Sequence, residues 1–167
     1  MGSGAGLRLA WVGATLYLVV LAGGLYFVAA GIWPAPPWAL AAFVAGIVAL
    51  LVLEFVARGG VTTRLLVRAA LIHAVALVDG SQLSRALFLL VPFAVQLSIG
   101  RRAGLLTAAG YALGLVGWLT LGVPGWWTDP EQVSDLLMFG VGLVFAVSMA
   151  EVAVSADATR ARTERLL

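Results

Sequence analysis

The side chains able to do chemistry in this chain are few, and most lie beside or inside long apolar runs. There is a single histidine, His73, no cysteine and no lysine, so ten arginines and eight carboxylates complete the charged inventory. A zinc ion takes about four ligands. With no second His or Cys to join His73, neither a metal site nor a cofactor is expected. His73 falls in the middle of an apolar segment. At about 100° per residue it points away from Arg64, while Arg68 and Asp79 fall near the Arg64 side. Its two readings are a packed, hydrogen-bonded ring and a protonation-sensitive sensor.

Two carboxylates sit about one turn inside apolar segments, where ionisable groups are costly and are paired or functional. Glu54 precedes Arg58 at i+4, the favourable order for a helical ion pair. Glu151 lies near the end of the last apolar segment, with Arg101 or Arg102 as partner. That pairing is either structural or sets the rotation and depth of the last helix. Pro92 cannot donate to the carbonyl of Phe88, which predicts a kink that is either static or a hinge. Gln96, one turn on, can satisfy a polar neighbour. Trp126 and Trp127, inside Gly125-Trp126-Trp127-Thr128, read as an aromatic belt at the membrane surface or as a ligand-contacting cluster. Trp33 and Trp38 share the belt reading.

Catalytic patterns are missing. No Gly-rich phosphate loop leads to a Lys. Asp79-Gly80-Ser81 lacks the further aspartates of a metal-dependent membrane transferase. Ser98 and His73 lie at different depths and carry no serine-protease motif. No catalytic residue is therefore expected within this chain.

The elements that position these residues follow from composition. Hydrophobic residues make up 62% of the chain and charged residues 11%, with a mean hydropathy of +1.06. A soluble domain carries about a quarter charged residues. The chain therefore reads as an all-α, polytopic membrane helical bundle. Six apolar segments are drawn at 9–32, 38–57, 65–78, 83–99, 103–123 and 136–154. A span needs about 17–25 residues. The third segment is short unless Arg64 and Arg68 snorkel to the interface, and the fourth is marginal, so a re-entrant pair is the alternative there. Residues 1–154 form the membrane bundle, and 155–167 begin a cytoplasmic helix.

With the N-terminus inside, nine arginines face the cytoplasm, among them Arg58, Arg64, Arg68, Arg101 and Arg102, and only Arg85 lies outside. This positive-inside bias puts both termini in the cytoplasm. The pI of about 9.7 is thus a topology signal and implies no nucleic-acid partner. The loops are short, and the longest, 122–134, is too small for a folded outer domain. Small residues recur four apart at Gly110 and Gly114, and at Gly142, Ala146 and Ala150, a spacing that lets helix backbones approach within one bundle or across a dimer.

After the last apolar segment the chain continues without Gly or Pro into a charged, helix-compatible tail. Val152, Ala156, Thr159, Thr163 and Leu166 are spaced 4-3-4-3, the a/d rhythm of a coiled coil. The seam is short and polar, so a solvated helix end fits the spacing equally well.

The stretch Phe139–Leu167, with FAVSMAE from Phe145 to Glu151 and SADATRARTERLL from Ser155, resembles the last membrane helix and exit linker of bacterial sensor histidine kinases. The polytopic kinases of actinobacteria are the most similar. LFLLVPFA from Leu87 to Ala94, and IGRRAGL from Ile99 to Leu105, resemble their middle helices, a Pro-containing helix followed by an arginine turn. The resemblance covers residues 83–167. It implies a membrane signal-input module, a homodimer joined through the tail, and a response regulator engaged by a kinase part further along. His73 does not match the phosphoacceptor motif of that family. The resemblance also implies a bacterial cytoplasmic membrane. A small transporter subunit and a membrane scaffold are the competing readings, although His73, Gln96, Asp79 and Glu54 are thin material for a polar path.

Overall fold

A computed structural model describes the backbone of residues 3–56 and 60–166, and their side chains except at 3–9, 157, 160, 161 and 164–166. It is all-helical among the described residues. Six α-helices run α1 Ser3–Ala29, α2 Pro37–Val56, α3 Val61–Val78, α4 Leu90–Ser98, α5 Arg101–Gly122 and α6 Pro130–Leu166. A seven-residue 3-10 segment, Leu83–Leu89, leads into α4, and a short 3-10 turn, Trp126–Thr128, precedes α6.

The local chemistry explains the boundaries. The loop after α1 turns through Gly31 at φ 71° and then through Pro34, Pro36 and Pro37. Pro37 and Pro130 each open a helix at its first position, where the missing N–H would have had no partner. Asp129 caps α6, its Oδ1 accepting the Glu131 N–H at 3.0 Å. Side-chain oxygens are favoured there because the first helical N–H groups have no carbonyl behind them.

Five helices are long and apolar enough to cross a membrane: α1, α2, α3, α5 and the Pro130–Ala156 part of α6. α3 starts at Val61, four residues before its expected start, and reaches 18 residues. It therefore does not need its arginines to stretch it. The fourth segment is not one α-helix. Its seven 3-10 and nine α residues have a contour of about 27 Å, at ~2.0 and ~1.5 Å per residue, close to the ~27 Å of α3.

The helices form two units, Met1–Val91 and Pro92–Leu167. In the first, α2 packs between α1 and α3, and the 3-10 segment packs on α1 and α3. Its core is Tyr17, Phe43, Ile47, Leu50, Ile72, Val75 and Leu87, all fully buried. Close approach depends on small residues. Phe43 lies over Gly24 of α1, and Val75 lies against Gly46 of α2. In the second unit α5 packs on α6, with Gly104, Ala108, Leu119, Leu143 and Ala150 buried.

The outward faces are apolar. Leu77, Leu106, Leu113 and Leu121 are 73–90% exposed. A soluble monomer rarely exposes contiguous apolar patches beyond a few hundred Å², so these faces belong against lipid. Gly110 and Gly114 also face outward, and among the described residues nothing lies within 4 Å of where their Cβ would be. Gly142, Ala146 and Ala150 are half-buried to buried.

α6 is a single helix of 37 residues, about 55 Å long at ~1.5 Å per residue. It runs through the apolar part into the charged tail without interruption. The seam positions Val152, Ala156, Thr159 and Thr163 are exposed. The Thr159 and Thr163 hydroxyls donate to the carbonyls of Ser155 and Thr159. Leu166, Arg160 and Arg165 have side chains outside the described residues.

Candidate functional site

An enclosed polar cluster lies in the first unit and joins three helices. Glu54 is the next member of the α2 stripe Phe43, Ile47, Leu50, spaced 4-3-4, so its carboxylate points inward. Arg68 occupies the matching place on α3, where Arg68, Ile72 and Val75 are the buried positions. Arg68 Nη2 donates to Glu54 Oε1 at 2.5 Å, and the Tyr17 hydroxyl of α1 donates to the same oxygen at 3.0 Å. The side chains of Arg68 and Glu54 are 9% and 2% exposed. Gly13 makes room: a Cβ there would lie 2.8 Å from Glu54 Oε1. Arg68 Nε is buried without a hydrogen-bond partner among the described residues.

Glu54 pairs with Arg68 of the neighbouring helix; Arg58, its expected partner, lies outside the described residues. The phase of Glu54 on α2 turns it into the bundle. Arg68 accordingly does not snorkel to the interface. Arg64, one turn earlier, is half-buried.

The second cluster lies in the second unit. Gln96 of α4 is buried, and its Nε2 donates to Glu151 Oε2 of α6 at 3.2 Å. Arg101 Nε at the start of α5 stands 3.9 Å from the same oxygen, with both side chains largely open to the surroundings. One carboxylate thus ties together three helices of this unit. Arg102, beside it, is exposed. Gln96 packs against Gly104, whose missing Cβ lets α4 and α5 approach, and Gln96 Oε1 is buried without a partner among the described residues.

Pro92 is buried at the third position of α4. It does not kink a continuous α-helix, because the chain upstream is already 3-10. Pro is tolerated in a first turn, where no donor is required of it.

The other candidates stand apart. His73 lies on an exposed face of α3, off the buried stripe. Its Nδ1 is 2.7 Å from the Ala69 carbonyl. A carbonyl only accepts, so Nδ1 carries the proton. The ring meets Phe88 edge-on at 5.0 Å. Trp126 Nε1 donates to Thr120 Oγ1 at 3.3 Å, and Trp127 lies edge-on to Trp126 at 6.2 Å, with its own ring exposed. This pair sits at the start of α6, about 30 Å along the helix axis from Glu151. Trp33 is buried over Gly80 and edge-on to Phe43 at 5.5 Å. It is a core residue and not part of a belt, whereas Trp38 is exposed.

Asp79 has a role the sequence reading missed. Its Oδ1 accepts the Ser81 N–H and hydroxyl, and its Oδ2 accepts the Ser84 N–H at 2.8 Å. The carboxylate therefore organises the turn in which Gln82 takes φ 63°. Tyr17, Gly13 and Gly104 were also not singled out. For Tyr17 the available signal was its position on the buried α1 stripe Ala10, Ala14, Tyr17. No group of three or more His, Cys, Asp or Glu able to hold a metal occurs among the described residues. No protein-family model matches the chain, and no curated protein or solved structure does either.

Proposed function

We propose that the chain is the membrane-embedded input module of a bacterial two-component sensor histidine kinase. A stimulus taken up by the bundle passes through α6 to a cytoplasmic kinase part, which phosphorylates itself and hands the phosphoryl group to a response regulator. The observation that carries this reading is the continuity of α6. Its membrane-length apolar part, Pro130–Ala156, passes into a charged segment within one helix. A helix without a break transmits rotation or sliding from one end to the other.

Three further features support it. Glu151 sits where the apolar part gives way to the tail and is tied to Gln96 and Arg101, so a shift in α4 or α5 bears directly on α6. The ~27 Å contour of the fourth segment suits a sixth crossing. In this reading the chain crosses a bacterial cytoplasmic membrane six times, with nine arginines and both termini on the cytoplasmic side, in keeping with the positive-inside bias. The exposed tail seam suits a homodimer that pairs α6 with its copy.

The test is phosphotransfer. A protein carrying this chain and its downstream sequence, reconstituted in lipid, is expected to phosphorylate itself on histidine from ATP. Cysteines placed along 152–166 are expected to crosslink between copies with a 4-3-4-3 periodicity. Absence of autophosphorylation together with solute uptake by the reconstituted chain would replace this reading with a transporter.

A further inference from the structure

The Trp126–Trp127 pair takes no part in the proposed signalling path, and its geometry is unlike that of a membrane-surface anchor. An anchoring indole turns its N–H to water or headgroups. Trp126 instead donates its N–H within the chain, to Thr120 Oγ1 at 3.3 Å. The two ring planes stand at 79° with centroids 6.2 Å apart, so together they make two walls of a corner. Trp126 is half-buried, whereas Trp127 is 62% exposed. The backbone beneath is held in one shape. Gly125 takes φ 76°, and the Thr128 N–H and hydroxyl both donate to its carbonyl, at 2.9 and 2.8 Å. The Asp129 N–H donates to the Trp126 carbonyl at 3.2 Å. A corner fixed in advance avoids the ordering cost that a mobile side chain adds on binding.

The charge around this corner has one sign. Asp129 and Glu131 follow directly in the chain and are exposed. Asp129 Oδ1 accepts the Glu131 N–H, and neither carboxylate is ion-paired among the described residues. No arginine lies between Arg102 and Arg160. The N-terminal end of α6 contributes only about half a positive charge, which two carboxylates outweigh. Ring faces attract cations through their quadrupole, Trp most strongly, and quaternary ammonium groups are the ligands such faces recognise. A metal cation wants several oxygen ligands and holds its water, which this corner does not match. We propose that the Trp126–Trp127 corner binds a quaternary ammonium group, its methyls against the two indole faces and its charge complemented by Asp129 and Glu131. Contacts of this kind on an open surface give affinity on the order of millimolar. The group can arrive on a free solute or on a phospholipid headgroup. The site is built wholly from the second unit and does not depend on the kinase reading.

The test uses the full chain labelled with fluorotryptophan, which gives one fluorine signal for each of its six tryptophans, in dodecyl maltoside micelles that carry no ammonium group. Trp126→Phe and Trp127→Phe assign two of the signals. Choline is expected to shift these two saturably, with a midpoint in the millimolar range, and to leave the Trp11, Trp33 and Trp38 signals in place. Sodium chloride at matched ionic strength, and dimethylbutanol, the uncharged carbon analogue of choline, are expected to shift neither. Trp127→Leu, read on the Trp126 signal, is expected to raise the midpoint about 3- to 10-fold. Asp129→Asn with Glu131→Gln is expected to do the same at low salt, and Asn retains the helix cap. Phosphatidylcholine added to the micelles separates the two sources: a choline response that it displaces assigns the headgroup, and one that persists assigns a free solute. If a variant does not fold, the comparison of choline with its uncharged analogue on the unmodified chain decides. The proposal is overturned if choline moves neither signal, if the uncharged analogue moves both as far, or if the folded variants leave the midpoint unchanged.

Discussion

Replacing Gly24 by alanine tests the packing of the first unit more directly than any charge change. A Cβ at Gly24 would lie 2.7 Å from both Cε1 and Cζ of Phe43. Ordinary contact begins near 3.4 Å, so two rigid ring atoms overlap by about 0.7 Å each. The ring cannot retreat. Phe43 is fully buried and stands edge-on against Trp33, which in turn lies over Gly80 with no room for a Cβ. Overpacking of this kind costs about 1–3 kcal/mol, and alanine returns about 1 kcal/mol of helix propensity over glycine. The net is about 0–2 kcal/mol of destabilisation, and the backing by Trp33 places it in the upper half. Gly114→Ala is the control. Its Cβ meets nothing within 4 Å, so only the gain of up to about 1 kcal/mol applies. The assay is reversible unfolding in mixed micelles of increasing denaturing-detergent fraction, followed by circular dichroism. Phe43→Leu added to Gly24→Ala is expected to recover part of the loss. If Gly24→Ala proves as harmless as Gly114→Ala, α1 and α2 do not approach as described.

Four other outcomes are expected. Arg101→Ala costs at most about 1 kcal/mol in the same assay, because the Arg101–Glu151 pair is open to its surroundings. Under the proposed function, Glu151→Gln is expected to alter kinase output in a protein carrying a downstream kinase part without unfolding it, and unchanged output would remove Glu151 from the signalling path. Pro92→Ala stabilises by well under the ~3 kcal/mol that a helix-interior proline costs, since Pro92 occupies a first turn; a full ~3 kcal/mol gain would mean the 3-10 to α junction is misplaced. Single cysteines are clean reporters in a chain with none of its own. Thr128→Cys is expected to react with an impermeant thiol reagent on intact cells, and Ile99→Cys only after permeabilisation; the reverse pattern would invert the topology.

The apolar segments were legible because lipid imposes length and composition on every span. Five of the six correspond to long helices, although ends moved by up to six residues, as at Pro130, and the tail continued α6. The 3-10 form of residues 83–89 was not legible, since it depends on the Asp79 turn and on packing against α1 and α3. The Glu54–Arg68 pair was not foreseen, although the 4-3-4 spacing with Phe43, Ile47 and Leu50 already carried the inward phase of Glu54. Trp33 was misplaced because indole at a helix end suggests an interface, and only the glycine beneath it reveals a core position. The Gln96–Glu151 contact joins residues 55 positions apart, and no local pattern reports that.

The unbroken course of α6 has a geometrical consequence. Each residue in an α-helix turns the chain by about 100°, so the azimuth of Glu151 is carried without slack to Thr159 and Thr163. One residue inserted near Ser155 would swing everything beyond it about 100° around the axis. Seven would return it to within about 20°. Angular position along the tail thus repeats in heptads, and changes in its length act as changes of angle before they act as changes of distance.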